Sequence, residues 1–344
     1  MQGYFHRVNA QTPTRFWINN VTRREAELAI DAGACGCTQN PAYVWKMLNH
    51  AEGGAHARAL MQRFMAEYAD DNQVEAALQR ALVGEIAQIF LPIYEKTAGR
   101  WGYVSIQGDP FHEDCETIVR MARYNREAGP NIMAKIPVTE EGLRAIEILA
   151  AEGTPINATE VMSVRQAMDV YEVWNRATAG MTHKPVIYFS HIAGIFDEYI
   201  RDYAARIGAD MPQDYLWQAG VTVAKKIDQL MRETGSPLGF ISGGARGLQH
   251  FTEMVGCDCV VTINWQGTAD KLIEMDPPVV QRFLRPTPHS VIDTLCERLP
   301  DFRKAYEYGA IQPGEYEEYG PVVRFRTSFE DAWRNTLEMI CASR

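Results

Sequence analysis

The segment "NIMAKIPVTEEGL" (131–143) decides how the rest of the chain is read. Its first part, 131–137, is a short apolar run of strand length, and from Thr139 onward the pattern is that of a helix start. One residue is out of place. Lys135 stands among Met133, Ala134 and Ile136, near the end of a strand expected to be buried on both faces. Burial disfavours the ammonium form and lowers a lysine pKa. The usual biochemical use of that effect is a nucleophilic amine.

The strand-then-helix unit recurs along the chain. Apolar runs at 15–19, 34–38, 102–108, 131–137, 154–159, 184–191, 237–243 and 257–263 each precede amphipathic sequence. Helical patterns are expected at 24–33, from Pro41, across 56–98, at 112–128, 139–152 and 162–178, after 191, and from about 246 and 266. Alternation of this kind implies a parallel sheet with right-handed crossovers. Eight units fit an α/β fold of the closed (β/α)8 TIM barrel type better than an open doubly wound sheet, and no glycine-rich phosphate loop follows the first strand. The expected division is a barrel over 1–279 and a helical C-terminal extension over 280–344, packed on the barrel.

The 344 residues carry a formal net charge of −10, with 46% hydrophobic and 23% charged residues. Acidic residues are spread rather than blocked, which argues against nucleic acid and anionic membranes as partners. A small anionic ligand stays compatible, because one or two local arginines override the global field. The N-terminal segment lacks the apolar core of a signal peptide, and no apolar run was expected to span a bilayer. Seven cysteines without framework spacing suit a reducing cytoplasm. The sequence leaves oligomeric state open, a homo-oligomer included.

Chemistry in a barrel sits at the C-terminal ends of the strands. That rule selects Asn19, Thr38, Gln39, Asn40, Gln107, Lys135, Asn157, Thr159, His191, and the turn from Gly243 through Gly244 to Arg246.

With those residues in place, "CTQNP" (37–41), "AKIPVTEEGL" (134–143), "INATEVMSVRQA" (156–167) and "GGARGLQHFTEMVGCD" (243–258) resemble, in order, motifs of the transaldolase family, which includes the fructose-6-phosphate aldolases. "QAGVTVAKKIDQLMRETG" (218–235) resembles the helix before the seventh strand there, and the similarity runs from about 15 to 265. The resemblance implies a cytoplasmic enzyme of carbohydrate metabolism, acting on a sugar or sugar phosphate without metal or organic cofactor. Lys135 would form a Schiff base with a ketose. The dihydroxyacetone unit left after cleavage would pass to an aldehyde, as in transaldolases, or be released, as in the aldolases. Asn40 and Asn157 match residues that hold hydroxyls of the three-carbon unit. Thr159 matches the threonine that positions a catalytic water, and Arg246 matches a phosphate-binding residue.

Three positions depart from the family. Asn19 replaces an aspartate base, Gln107 stands where transaldolases have glutamate and the aldolases glutamine, and Gly194 replaces a second arginine. An amide cannot take a proton as a carboxylate does. His191, where the aldolases have a tyrosine, is the expected acid–base substitute.

Each residue also has a plainer reading. Lys135 can be a snorkelling strand-end lysine, His191 a packed histidine, Gln107 a buried amide capping a loop, and Asn40 a turn residue or N-cap. Arg246, expected to open a helix that favours anions, can instead make a surface ion pair. Glu160 and Asp109 are carboxylates that could replace the missing base or serve as loop and cap residues. Cys35, Cys37, Cys257 and Cys259 read as core packing rather than metal ligands. Trp45, Trp101, Trp217 and Trp265 could stack on a sugar or simply be buried. Loss of catalysis, leaving a sugar-binding barrel, is the reading that Asn19 and Gln107 support.

Overall fold

A computed structural model describes residues 3–344. Eight parallel strands close into one barrel in sequence order. They are β1 (Arg15–Asn19), β2 (Ala34–Thr38), β3 (Val104–Gln107), β4 (Ile132–Pro137), β5 (Ile156–Val161), β6 (Ile187–His191), β7 (Gly239–Ser242) and β8 (Val260–Asn264). With its surrounding helices this is a (β/α)8 TIM barrel.

Local chemistry starts many of the helices where the sequence signals them. Thr22 with Glu25 and Ser163 with Gln166 form capping boxes, while Asp70, Asp114 and Thr139 cap through their side chains. The Thr139 cap explains the glycine of the opening motif. A Cβ at Gly142 would lie 1.8 Å from the carbonyl oxygen of Pro137, so the β4-to-helix turn closes this tightly only around glycine.

The barrel interior is stratified. Trp17, Tyr103, Met133, Tyr188, Ile241 and Val260 come from strands all around the ring yet form one apolar cluster, so they fill the lower barrel. Side chains alternate along a strand. Two residues further on, the same strands present Asn19, Ser105, Lys135, Ser190 and Thr262, and Gln107 lies two beyond Ser105. The interior thus turns from apolar to polar at the level of Lys135.

Three features differ from expectation. Helix Tyr4–Gln11 was not foreseen; it brings Phe5 onto Phe16, with ring centroids 4.0 Å apart. The helix expected from about 246 shrinks to Gln249–Thr252, because 243–248 is spent on a turn. Helix Asp71–Lys96 has, by length and composition, what a membrane span needs, against the expectation from the sequence. Half of its most apolar window is buried in the fold, where Val74, Leu78, Leu82, Val83, Ile86 and Phe90 join the core.

The C-terminal region ends in helix Gly320–Ser343. Trp333 Nε1 donates to Asn72 Oδ1 at 2.7 Å and Arg344 Nε to Asp71 Oδ1 at 2.6 Å, tying this helix to Asp71–Lys96. Its middle turns reach the polar end of the barrel.

Candidate active site

Lys135 is 7% exposed. On β4 it pairs in register with Gln107 on β3 and Asn157 on β5, and Pro137 pairs with Thr159. Its Nζ lies 5.6 Å from the ring centroid of Phe329, which the last helix lays over it. Burial pulls its pKa down to about 8, with the Glu160 carboxylate acting in the opposite sense. About a tenth of the amine is therefore uncharged at pH 7, far more than for a lysine at its ordinary value.

The amine opens on a cavity of about 240 Å³ whose wall includes Thr38, Asn40, Thr159, Ser190, Asn264 and Ser328. Amides and hydroxyls dominate that wall, a surface suited to a polyhydroxylated ligand. Asn19 also lines it. Its Nδ2 donates to Asn264 Oδ1 and its Oδ1 accepts from Thr38 Oγ1, both at 2.9 Å. Thr38 Oγ1 is in turn 2.7 Å from Thr262 Oγ1, so the amide is a member of a fixed network.

Asn40 is both turn residue and cavity lining. Its Oδ1 accepts from Ala42 N at 3.1 Å and from Asn20 Nδ2 at 2.9 Å. Asn157 lies a layer deeper, accepting from Ser190 Oγ at 2.6 Å and donating to Ser105 Oγ at 3.3 Å. It fixes Ser190, which reaches the cavity. Thr159 Oγ1 is buried without a partner.

Gly244 and Arg246 line the opposite wall. Arg246 lies in a turn and not at a helix start, which removes the helix-end contribution to anion binding expected for it. Its Nε donates to Glu198 Oε2 at 2.8 Å. Glu198 also pairs with Arg324 at 3.2 Å. Gly194 cannot be exchanged for an arginine, since a Cβ there would lie 2.1 Å from the carbonyl oxygen of Gly244. The glycine turn closes directly onto it.

His191 is fully buried and absent from the cavity wall. Nδ1 lies 2.9 Å from the Val161 carbonyl oxygen and Nε2 3.0 Å from that of Gly220. Burial lowers its pKa. That geometry is the packed-histidine arrangement, with no ring nitrogen turned toward Lys135. Asp109 is a loop residue, accepting from Asn72, His112 and the Phe111 amide.

Two groups of site residues had no decisive sequence signal. Phe325, Ser328 and Phe329 come from the last helix, beyond all eight strands, so the rule of strand ends could not select them. None of the four tryptophans singled out above lines the cavity; the rings there are phenylalanines. Glu160 was, with Asp109, a possible replacement for the missing base, against a plainer role as a loop or cap residue, and nothing in the sequence decided between the two. Glu160 is fully buried, has φ 63°, and its Oε1 accepts from Gln107 Nε2 at 2.9 Å.

The Transaldolase/Fructose-6-phosphate aldolase family model matches residues 16–293, and the chain belongs to that family. Its class is that of the class I aldolases and the related aldehyde- and ketone-transferring enzymes. A transaldolase of Thiobacillus denitrificans is 25% identical over 331 residues, 88% of each chain. A transaldolase of Saccharopolyspora erythraea is 34% identical over 167 residues, 46% of this chain and 44% of that one. One from Neisseria meningitidis is 28% identical over 208 residues, 55% of this chain and 58% of its own length.

Proposed function

We propose that Lys135 forms a Schiff base with a ketose and that the chain transfers the resulting dihydroxyacetone unit to an aldehyde. The uncharged amine adds to the ketose carbonyl carbon, and the carbonyl oxygen takes a proton to give a carbinolamine. Loss of that hydroxyl as water, with one further proton supplied, leaves a protonated iminium on Nζ. When the adjacent C3–C4 bond breaks, its electron pair moves to the iminium nitrogen and the C4 hydroxyl surrenders its proton. An aldehyde departs and an enamine stays. The enamine carbon then attacks an acceptor aldehyde, whose oxygen takes up the proton, and water releases the new ketose from Lys135.

One observation carries this reading: a buried amine with a pKa near 8, at the C-terminal end of a barrel strand, facing a cavity walled by amides and hydroxyls. In this reading Asn40 and Ser190, with Asn157 behind it, hold hydroxyls of the three-carbon unit and Thr159 holds the water, which their presence in the cavity wall and the Ser190–Asn157 hydrogen bond support. Transfer is favoured over release because Phe325 and Phe329, 8% and 1% exposed, roof the amine and limit protonation of the enamine by solvent. Release remains the second reading, since Gln107 is the residue the aldolases share.

Borohydride with fructose tests the reading. The expected product is a reduced three-carbon or whole-ketose adduct on Lys135, located by peptide mass spectrometry. Labelling elsewhere, or no labelling across a panel of neutral and phosphorylated ketoses, overturns it.

A further inference from the structure

Proton transfer in the proposed cycle requires a group that Asn19 and Gln107 cannot be. In strand alternation Asn157 and Thr159 share one face of β5, which would turn Glu160 outward, away from the barrel. The strand instead bulges between Ala158 and Val161, and Glu160 takes a left-handed φ of 63°. For a side chain with a Cβ this conformation is strained, and such strain persists only where the surroundings impose it. Bulges near active sites commonly re-aim a side chain. Here the result is a carboxylate behind the cavity wall, hydrogen-bonded to Gln107, close to Lys135 and next in sequence to Thr159, the last two of which line the cavity.

The surroundings of Glu160 are specific. Oε1 accepts from Gln107 Nε2 at 2.9 Å, which fixes the orientation of that amide. Oε2 is buried with no partner, as are Gln107 Oε1, Thr159 Oγ1 and Glu113 Oε2. Glu113, in the loop before helix Cys115–Arg126, faces Gln107 and Glu160. Lys135 faces Glu160 from β4, and Arg326 and Glu330 face it from the last helix; Glu317 and Arg326 face Glu113. Burial raises the pKa of both carboxylates, Glu113 further through its neighbour Glu160, while Gln107, Lys135 and Arg326 lower that of Glu160.

We propose that Glu160, backed by Glu113 across Gln107, takes and returns the proton as the carbon–carbon bond breaks and forms. The inference rests on the Schiff-base reading of Lys135. As the C3–C4 pair moves into the iminium, the C4 hydroxyl proton passes by way of Thr159 Oγ1, which lines the cavity, to Glu160 Oε2. The hydroxyl passes one proton on as it receives another and is unchanged. The protonated Glu160 returns the proton by the same route to the acceptor aldehyde oxygen, so the carboxylate is restored after each transfer. The position differs from either strand end where the family keeps its acid–base groups, which is why two amides are tolerated there.

Glu160→Gln tests the proposal, because the amide keeps an oxygen for Gln107 and loses only the titratable group. Expected are a native melting profile, retained adduct formation at Lys135, and a fall in kcat of about 10²-fold or more, the usual scale for an acid–base group. The acid limb of the pH–rate profile that belongs to Glu160 should vanish, while the Lys135 limb persists with its midpoint moved below the parent's value of about 8, because the carboxylate that raises the lysine's pKa is gone. Gln107→Glu placed in the Glu160→Gln background should recover activity by about tenfold or more. If Glu160→Gln does not fold, Glu160→Asp is read instead, with a loss of about tenfold expected from its shorter reach. Turnover within about threefold of the parent in the folded variant, with the acid limb kept, overturns the proposal. Absence of any adduct at Lys135 in the parent protein is a different result, which removes the Schiff-base reading and this inference with it.

Discussion

Arg246 Nε donates to Glu198 Oε2 across 2.8 Å, so the arginine in the cavity wall already has a carboxylate beside it. Both side chains are partly exposed, 46% and 29%, and such a pair is worth about 0–1 kcal/mol. A phosphate must compete with Glu198 and, with Gly194 closed off, meets no second cation from that position. Neutral ketoses should therefore serve about as well as their phosphates. Glu198→Gln should lower KM for a ketose phosphate about fivefold, one kcal/mol of released competition, and leave KM for the neutral ketose unchanged. Steady-state kinetics with fructose and fructose 6-phosphate measures both. Equal shifts for the two sugars would make the pair structural.

The second prediction follows from Lys135. Only the uncharged amine attacks a carbonyl, and its pKa is lowered from the ordinary 10.5 to about 8. Adduct formation should therefore rise with pH, pass its midpoint near 8 and level off above it. The rate of cyanoborohydride trapping between pH 6 and 10 reads this directly. A midpoint close to that of an ordinary lysine would show that the amine is hydrated and that the roof over it is open.

Much of this arrangement could be read from the sequence, for identifiable reasons. Each strand candidate ended on or close to its observed residue, because apolar runs flanked by glycine, proline and caps carry the period of the fold locally. Lys135, Thr159 and Arg246 were legible as cavity-lining positions because they occupy strand ends or the turn after one. The failures share a cause. Phe329 arrives from a helix about two hundred positions beyond Lys135 in the chain, and no local pattern reports that contact. Glu160 was legible as a possible base but could not be told from a loop or cap residue, because alternation points it outward and only the bulge turns it back. His191 was misplaced for the converse reason: a strand-end position does not reveal that Val161 and Gly220 turn carbonyls toward both ring nitrogens.

That histidine supplies the third prediction. A neutral imidazole carries one N–H, and burial keeps His191 neutral by lowering its pKa. One carbonyl receives its hydrogen bond and the ring fills the space between the two. His191→Phe should therefore destabilise the fold by about 1–3 kcal/mol, the cost of an unsatisfied buried acceptor. Turnover by the folded protein should change little. Urea denaturation and kcat on the same preparation separate the two effects, and a large loss of kcat at unchanged stability would return His191 to the chemistry.

The last prediction concerns the roof. Phe329 affects the Lys135 amine in two opposed ways. Its ring face attracts the ammonium, but at 5.6 Å the contact is near the outer limit for such pairs. The same ring excludes water, and desolvation is the larger influence on this lysine. Removing the ring should therefore raise the pKa, not lower it. Phe329→Ala would admit water but costs about 3–5 kcal/mol in a packed position, so Phe329→Leu is the better variant. Leucine keeps the core filled, loses the ring face and leaves a narrower gap. With Phe329→Leu the midpoint of cyanoborohydride trapping should move upward from about 8, and the ratio of released dihydroxyacetone to transferred product should increase as solvent reaches the enamine. A midpoint that moves downward would mean that ring attraction outweighs exclusion of water, and the last helix would then serve to hold the charged lysine instead of keeping it dry.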